Sequence, residues 1–257
     1  MQRRHEVEQW LSPLNFFETQ SDKLSRRLGG TGRWLLKSSE YQYWSNGRSS
    51  KVLWSPGIPG AGKTMLAAIV VDDIQQRYAK SESVSVACMY CDYKDQVAQT
   101  TKNLLASLWL QLAASNRDLS YEVEDLYDKY KSQGPRSRPS LDEISRILQT
   151  EVERYEKVYF IIDALDECSA ENRTTLLRHI SALPPTVSLM VTSRLLNSVP
   201  RQFQGAIKLE IEADVEDIKN YVKERINSVE RLSSWVDNNP SLEEDIVTTV
   251  TKNAEKM

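Results

Sequence analysis

The chain of 257 residues holds three cysteines, two histidines and four phenylalanines, and no long apolar run. An odd, small number of cysteines in a chain this long argues against a disulfide framework, which belongs to short, cysteine-dense secreted domains. No stretch approaches the roughly 20 apolar residues that span a bilayer, and the start Met1-Gln2-Arg3-Arg4-His5-Glu6 lacks the apolar core of a signal peptide. A soluble, cytoplasmic protein is the expectation. Neither sign of charge dominates: 33 basic residues face 36 acidic ones, for a net charge of −3. The arginine pairs Arg3-Arg4, Arg26-Arg27 and Arg136/Arg138 are scattered, so the basic patch of a nucleic-acid binder is missing and no such partner is expected. With only His5 and His179 available, a mixed cysteine–histidine zinc site lacks ligands. Cys88-Met89-Tyr90-Cys91 does spell C-x-x-C, inside the strand-like run Val84 to Cys91. An offset of three puts two strand side chains on opposite faces, so these read as buried structural thiols.

A hydrophobic fraction of 40% suffices for a sizeable core despite a mean hydropathy of −0.50. The length allows one large domain, alone or with a small appendage. The most informative stretch is Gly57-Ile58-Pro59-Gly60-Ala61-Gly62-Lys63-Thr64, which fits G-x-x-x-x-G-K-[ST] at every fixed position. It follows the strand-like Val52-Leu53-Trp54-Ser55 and precedes the helix-like Met65-Leu66-Ala67-Ala68-Ile69-Val70-Val71. Glycines suit a loop whose backbone N–H groups turn inward to approach phosphates closely. Lys63 then sets a compact positive charge on the β/γ-phosphates, Thr64 offers a hydroxyl to Mg²⁺, and the helix start favours an anion. The chain is therefore expected to bind a nucleoside triphosphate.

Residues 1–50, with Trp10, Leu11, Leu14, Phe16 and Phe17 and a short helix from Arg33 through Tyr41 and Trp44, read as a helical segment packing on the core. Strands are expected at Val52–Ser55, Ser83–Asp92, Val158–Ile162, Val187–Thr192 and Ala206–Ile211. Helices are expected from Thr64 to about Tyr78, Thr100 to Ala114, Tyr121 to Lys131, after the capping box Ser140-Leu141-Asp142-Glu143, from Asp214 to about Asn227, and from Ser241 to Met257. Ser132 to Pro139 reads as an exposed loop. The continuous apolar run Val158-Tyr159-Phe160-Ile161-Ile162 is of the kind buried on both faces of a parallel sheet. Alternating strands and helices from residue 52 onward indicate a parallel α/β sheet.

Asp163 stands at the carboxyl end of that apolar strand, where such folds place ligands. Asp166 and Glu167 follow within one turn; three carboxylates so close repel one another, and a divalent cation relieves the repulsion. Helix capping by Asp166 and Glu167 is an alternative that does not exclude this. Thr192-Ser193-Arg194 puts an arginine at the end of the next apolar strand, where it can sense a γ-phosphate.

Together, Gly57–Thr64, Asp163-Ala164-Leu165-Asp166-Glu167 and Thr192-Ser193-Arg194 resemble the NACHT branch of the STAND P-loop NTPases, in which a small residue follows the metal-site aspartate and two acidic residues begin two positions later. Trp10-Leu11-Ser12-Pro13-Leu14-Asn15-Phe16, Gly30-Thr31-Gly32-Arg33-Trp34-Leu35-Leu36 and Cys91-Asp92-Tyr93-Lys94-Asp95 resemble fungal NACHT proteins and the nephrocystin-like N-terminal P-loop domain. The resemblance implies a P-loop NTPase three-layer α/β sandwich with a five-stranded parallel sheet, in which the strand ending at Thr192 lies between the P-loop strand and the Asp163 strand. It divides the chain into a helical segment at 1–50, a core at 51–213, and at 214–257 the start of a helical extension that stops short of a winged-helix region and repeats. It also implies a cytoplasmic nucleotide-controlled switch that self-associates when triphosphate is bound, with effector and sensor partners unspecified. ATP or GTP would contact Gly57, Pro59, Gly60, Ala61, Gly62, Lys63, Thr64 and Met65, with Thr31 near the base. Thr64 and Asp163 would hold Mg²⁺, Glu167 or Asp166 would position water, and Arg194 would be the sensor.

Two other readings stay open: a steady-turnover P-loop ATPase or kinase, and a non-hydrolysing interaction module stabilised by nucleotide. A kinase lid is rich in arginine, yet the one arginine-rich loop, Pro135 to Pro139, lies between two helices far from the glycine turn; no arginine finger can be singled out for a ring motor. No N-K-x-D guanine reader is present, which slightly favours ATP.

Overall fold

The computed structural model describes residues 2–47, 51–114, 121–134, 137–195, 203–239 and 241–254. The first helices are α1 (Gln2–Leu11), α2 (Phe16–Ser25), α3 (Arg33–Lys37) and α4 (Ser39–Ser45). β1 (Val52–Pro56) leads through the glycine turn into α5 (Lys63–Arg77), followed by β2 (Val84–Tyr90), a 3-10 turn at Tyr93–Asp95, α6 (Thr101–Ala114), α7 (Tyr121–Gln133) and α8 (Leu141–Val152). β3 (Lys157–Asp163), a 3-10 turn at Leu165–Glu167, α9 (Ala170–Ser181), β4 (Val187–Ser193) and β5 (Ile207–Lys208) complete the sheet. Three helices close the chain: α10 (Val215–Ser228), α11 (Glu230–Asn238) and α12 (Ser241–Ala254).

The sheet is parallel throughout, in the order β2-β3-β4-β1-β5, so β4 lies between the P-loop strand and the Asp163 strand as the resemblance implies. Every residue of β4, and all but the first of β3, is buried, which accounts for their unbroken apolar runs. At the outer edge of β2, two glutamine side chains take the place of a neighbouring strand. Gln111 Oε1 accepts from Cys88 N (2.9 Å) while its Nε2 donates to Cys88 O (2.7 Å). Gln99 does the same for Asp92 N (3.0 Å) and Tyr90 O (3.1 Å). Both sit on or beside α6, which thereby closes an edge that would otherwise offer free backbone groups.

The N-terminal helices join the same buried cluster as the sheet through Trp10, Leu11, Phe16, Leu35, Tyr41 and Trp44. Gln20 anchors α2: its Nε2 donates to Ala68 O on α5 (3.0 Å), and its Oε1 accepts from the Tyr90 hydroxyl. α10 and α12 enclose a separate small apolar cluster of Val222, Ile226 and Val247, against which Leu232 and Val236 of α11 pack.

The structure amends several expectations. The helix expected from Arg33 to Trp44 is two helices, because Ser38 adopts an extended conformation and its hydroxyl caps the second at Tyr41 N. The strand expected at Ala206–Ile211 shortens to two residues, although single bonds from Leu209 N to Trp54 O (3.0 Å) and Ile211 N to Pro56 O (2.7 Å) extend its pairing. α7 runs through Gln133, into the expected loop; Arg136 lies outside the described residues, as do the last three positions of the final helix. α9 and α11 are two helices that the sequence reading leaves out. Asp166 and Glu167 do not cap α9, since the cap is Ser169, whose hydroxyl accepts from Asn172 N (3.2 Å).

The capping box of α8 is formed as read: Ser140 Oγ accepts from Glu143 N (3.2 Å) and Glu143 Oε2 accepts from Ser140 N (2.9 Å). The Tyr130 hydroxyl, donating at 2.6 Å, and the neighbouring Ser140 and Lys129 pull the Glu143 carboxyl down to about 2. A depressed acid stabilises the fold fully above its ordinary value and loses that contribution as pH falls through the folded value. Glu143→Gln is therefore expected to lower stability by about 1 kcal/mol at pH 7, with the difference from wild type shrinking between pH 4.5 and 2; urea unfolding across that range checks it.

Candidate functional site: a phosphate-binding loop and its acidic neighbour strand

The glycine turn leaves β1, which lies between β4 and β5, and ends where α5 begins at Lys63. The three motif glycines serve different ends. Gly60 and Gly62 have φ of 84° and 88°, the left-handed region that glycine occupies without cost, and a Cβ on either would meet open space. Gly57 instead sits against β5's continuation, where a Cβ would lie 2.3 Å from Ile211 O. Its N–H is committed to Ser193 O (3.0 Å), so Gly57 shapes the turn rather than facing outward. Lys63 Nζ donates to the turn's own carbonyls, Gly57 O (2.8 Å) and Ile58 O (2.7 Å). Burial lowers the Lys63 pKa, against the pull of Asp166, Asp163 and Glu167.

Asp163 closes β3 with 3% of its surface exposed. Its Oδ1 accepts from the Thr192 hydroxyl at 2.6 Å, and the Thr64 hydroxyl, on the same cavity, also favours its charged form. Burial still raises its pKa, more than these hydroxyls and Lys63 lower it. Thr192 Oγ1 in turn accepts from Ala164 N (3.0 Å). Ala164 has φ 54° and ψ 45°, the sole non-glycine with positive φ among the described residues. A left-handed residue here reverses the chain so that Asp166 and Glu167 return to the carboxyl edge of the sheet; the cost of that conformation rises with side-chain bulk, so a small residue suits the position.

The two acids after Ala164 diverge. Asp166 turns to Arg194, accepting from Arg194 N at 3.0 Å and pairing with its Nε at 3.3 Å, with 14% of the Asp166 side chain exposed and 60% of the arginine's. Glu167 faces a cavity of about 600 Å³ that Thr64 and Asp163 also line, together with Lys23 from α2 and Tyr93 and Lys94 beyond β2. Glu167 Oε2 accepts from Tyr93 N (3.2 Å) and its carbonyl from Gln96 Nε2 (3.2 Å), so the turn after β2 holds it in place.

On the other side of the loop, Thr31, Gly62 and Met65 line a mostly apolar cavity of about 400 Å³ with Trp34, Ile218 and Tyr221. Pro59 is exposed and lines neither cavity. Gly32, with φ 76°, packs so closely on α5 that a Cβ would lie 2.6 Å from Ile69 Cδ1, and its N–H donates to Asp217 Oδ2 at 2.9 Å. Burial raises the Asp217 pKa, against the pull of the Gly32 N–H and the nearby Trp34. Sequence reasoning missed Asp217: Asp214-x-x-Asp217 reads as helix capping, which Asp214 does perform by accepting from Asp217 N (2.9 Å). Lys23 was missed because nothing in the sequence connects an N-terminal helix with the glycine turn. Among the described residues no group of three or more His, Cys, Asp or Glu side chains converges to hold a metal by itself.

Fold and site together define a P-loop α/β domain of the nucleoside triphosphatase type. The profile of the family described as Nephrocystin 3, N-terminal matches residues 30–194, more than half of the chain, and the chain belongs to that family as a NACHT-like domain. It is 28% identical over 210 residues to the vegetative incompatibility protein HET-E-1 of Podospora anserina; the match takes in 78% of this chain and 15% of that relative. Among solved structures, the chain is similar to C. elegans PCH-2 (15% identity, TM-score 0.39, 90% of this chain and 52% of that one). It is also similar to a chain of the E. coli MS115-1 HORMA:CdnC:Trip13 complex (13% identity, TM-score 0.41, 96% and 76%).

The different duties of the glycines are separable. Gly57→Ala is expected to destabilise the fold by more than 1 kcal/mol, because backbone must shift to admit the methyl group. Gly60→Ala should cost only about 1 kcal/mol, the strain of a left-handed alanine. Thermal unfolding of the two variants tests the difference, and equal losses refute it.

Proposed function

We propose that this domain is a nucleotide-controlled signalling switch, binding ATP or GTP with Mg²⁺ and hydrolysing it slowly, with self-association as its output in the triphosphate-bound form. The observation that carries the reading is the meeting of the Thr64 hydroxyl with the buried Asp163 carboxylate on the cavity that Glu167 faces. The donor set suits Mg²⁺: hydroxyl and carboxylate oxygens are hard ligands, and a buried carboxylate gains from a nearby cation. Thr64 and Asp163 would hold the ion, which when bound supplies positive charge to the β- and γ-phosphates.

The N–H groups around Gly60, Ala61, Gly62 and Lys63 would cradle phosphate oxygens at the start of α5. Lys63 would exchange its two loop carbonyls for phosphate oxygens. Tyr93 N–H engages only Oε2 of Glu167, which leaves Oε1 to accept a hydrogen bond from the attacking water. Asp166 is the less suitable acid because Arg194 already occupies it. Arg194, steadied by that pair, would serve as the γ-phosphate sensor. The apolar cavity beside Thr31, Met65 and Tyr221 has the character of a base site; the lack of a guanine-reading motif favours ATP over GTP only slightly.

The domain division proposed is a helical segment at 1–50, a core at 51–213 and a helical extension at 214–257. A longer cytoplasmic parent protein with sensor repeats is part of the same proposal, supported by a relative of which the match spans 15%. No helix among the described residues is long and apolar enough to cross a membrane.

Lys63→Ala should abolish binding in isothermal titration with ATP or GTP plus Mg²⁺, and unchanged affinity refutes the site. Glu167→Gln should retain binding and slow phosphate release by on the order of 10²-fold; a wild-type rate moves the role to Asp166. Turnover above about 1 s⁻¹ in the wild type would favour a dedicated phosphoryl-transfer enzyme over a switch.

A further inference from the structure

Three cysteines lie in or beside the sheet, and they are not equivalent. Cys88 is buried in β2 with its thiol donating to Gln111 Oε1 (3.4 Å), and burial pushes its pKa up to about 12, which keeps it an unreactive thiol. Cys91 and Cys168 instead face each other, Sγ to Sγ at 3.1 Å, although 77 positions separate them in the chain. Cys91 follows β2 directly and its N–H donates to Asp163 O (3.1 Å); Cys168 directly follows Glu167 and its N–H donates to Leu165 O (3.3 Å). The two residues are 6% and 7% exposed, yet Cys91 lines the 600 Å³ cavity that Thr64, Asp163 and Glu167 share, so a small solute entering that cavity reaches the Cys91 side of the pair.

We propose that Cys91 and Cys168 are a redox modification site, converted by a peroxide into an intramolecular disulfide that ties the end of β2 to the turn carrying Glu167. The contact with Cys91, and Arg173 beyond it, holds the Cys168 thiol below the ordinary range and so favours one thiolate in the pair. One sulfur, as thiolate, attacks the peroxide O–O bond and becomes a sulfenic acid, with hydroxide leaving. The second thiol displaces the sulfenic oxygen as water and forms the S–S bond; the hydroxide takes the proton released, so two thiols and one hydrogen peroxide give one disulfide and two waters. Two sulfurs already in contact need only a small movement to bond. Closing the gap draws the residue next to Glu167 by about 1 Å, and a misplacement of that size costs on the order of 10²-fold in rate; this consequence rests on the hydrolysis proposed above, whereas the disulfide does not.

The full chain is treated with hydrogen peroxide, its free thiols are blocked under denaturing conditions, and unreduced peptides are mapped by mass spectrometry. The expected result is a Cys91–Cys168 linked peptide, a fall from three free thiols to one, and full reversal by dithiothreitol. Cys88→Ser should leave the linkage intact, and in Cys91→Ser a dimedone adduct should appear on Cys168 in place of it. A linkage through Cys88, or sulfinic acid at either position with no linked peptide, or three thiols surviving peroxide in excess, overturns the proposal. Phosphate release before oxidation, after it and after reduction reads the consequence separately. A disulfide that forms with no change in rate refutes the coupling to Glu167, and a protein that never hydrolysed nucleotide refutes the proposed function alone.

Discussion

The buried Asp163 carboxylate organises the carboxyl edge of the sheet. Its position at the end of β3 removes it from water, which is costly for a charge, and two hydroxyls from neighbouring elements offset part of that cost. Thr192 reaches it from β4, and Thr64 from the first turn of α5. The same Thr192 hydroxyl accepts from Ala164 N and so fixes the reversal that follows. Three chain segments distant in sequence are thus tied to one carboxylate, and its raised pKa records an electrostatic demand that a cation would answer.

The division of labour between Asp166 and Glu167 follows from that reversal. After the left-handed Ala164, the two acids of the next turn face different ways. Asp166 is captured by Arg194 as the chain leaves β4, and Glu167 is left toward the cavity with the turn after β2 as its support. An arginine that is more than half exposed gains little from a lone ion pair; the pairing matters here for where it holds the two side chains.

Much of this was legible in the order of residues. The glycine turn between a strand and a helix, the apolar strand ending in Asp163 and the capping box at Ser140 are local patterns, and local patterns survive into the structure because backbone geometry enforces them. The two cavities were not legible. The apolar one joins residues near Thr31 to residues near Ile218, and the other joins Lys23 to Glu167, which are contacts between segments that no periodicity links. The contact of Cys91 with Cys168 was invisible for the same reason: the C-x-x-C spacing drew notice to Cys88, whereas the spatial partner lies across the sheet edge.

By itself, the order of amino acids determined the elements and the chemical groups on offer: a phosphate-loop motif, acids after a buried strand, an arginine after the next, and thiols too few for a disulfide framework. Only the tertiary structure decided which acid faces the cavity, which glycine is required by packing rather than by its dihedral angles, and which cysteines meet. The physical reason is that these are properties of relative position: Gly57 is confined by Ile211, and Glu167 is placed by Tyr93. Such neighbours are set by strand order and helix packing, which sum many weak contacts over the whole core.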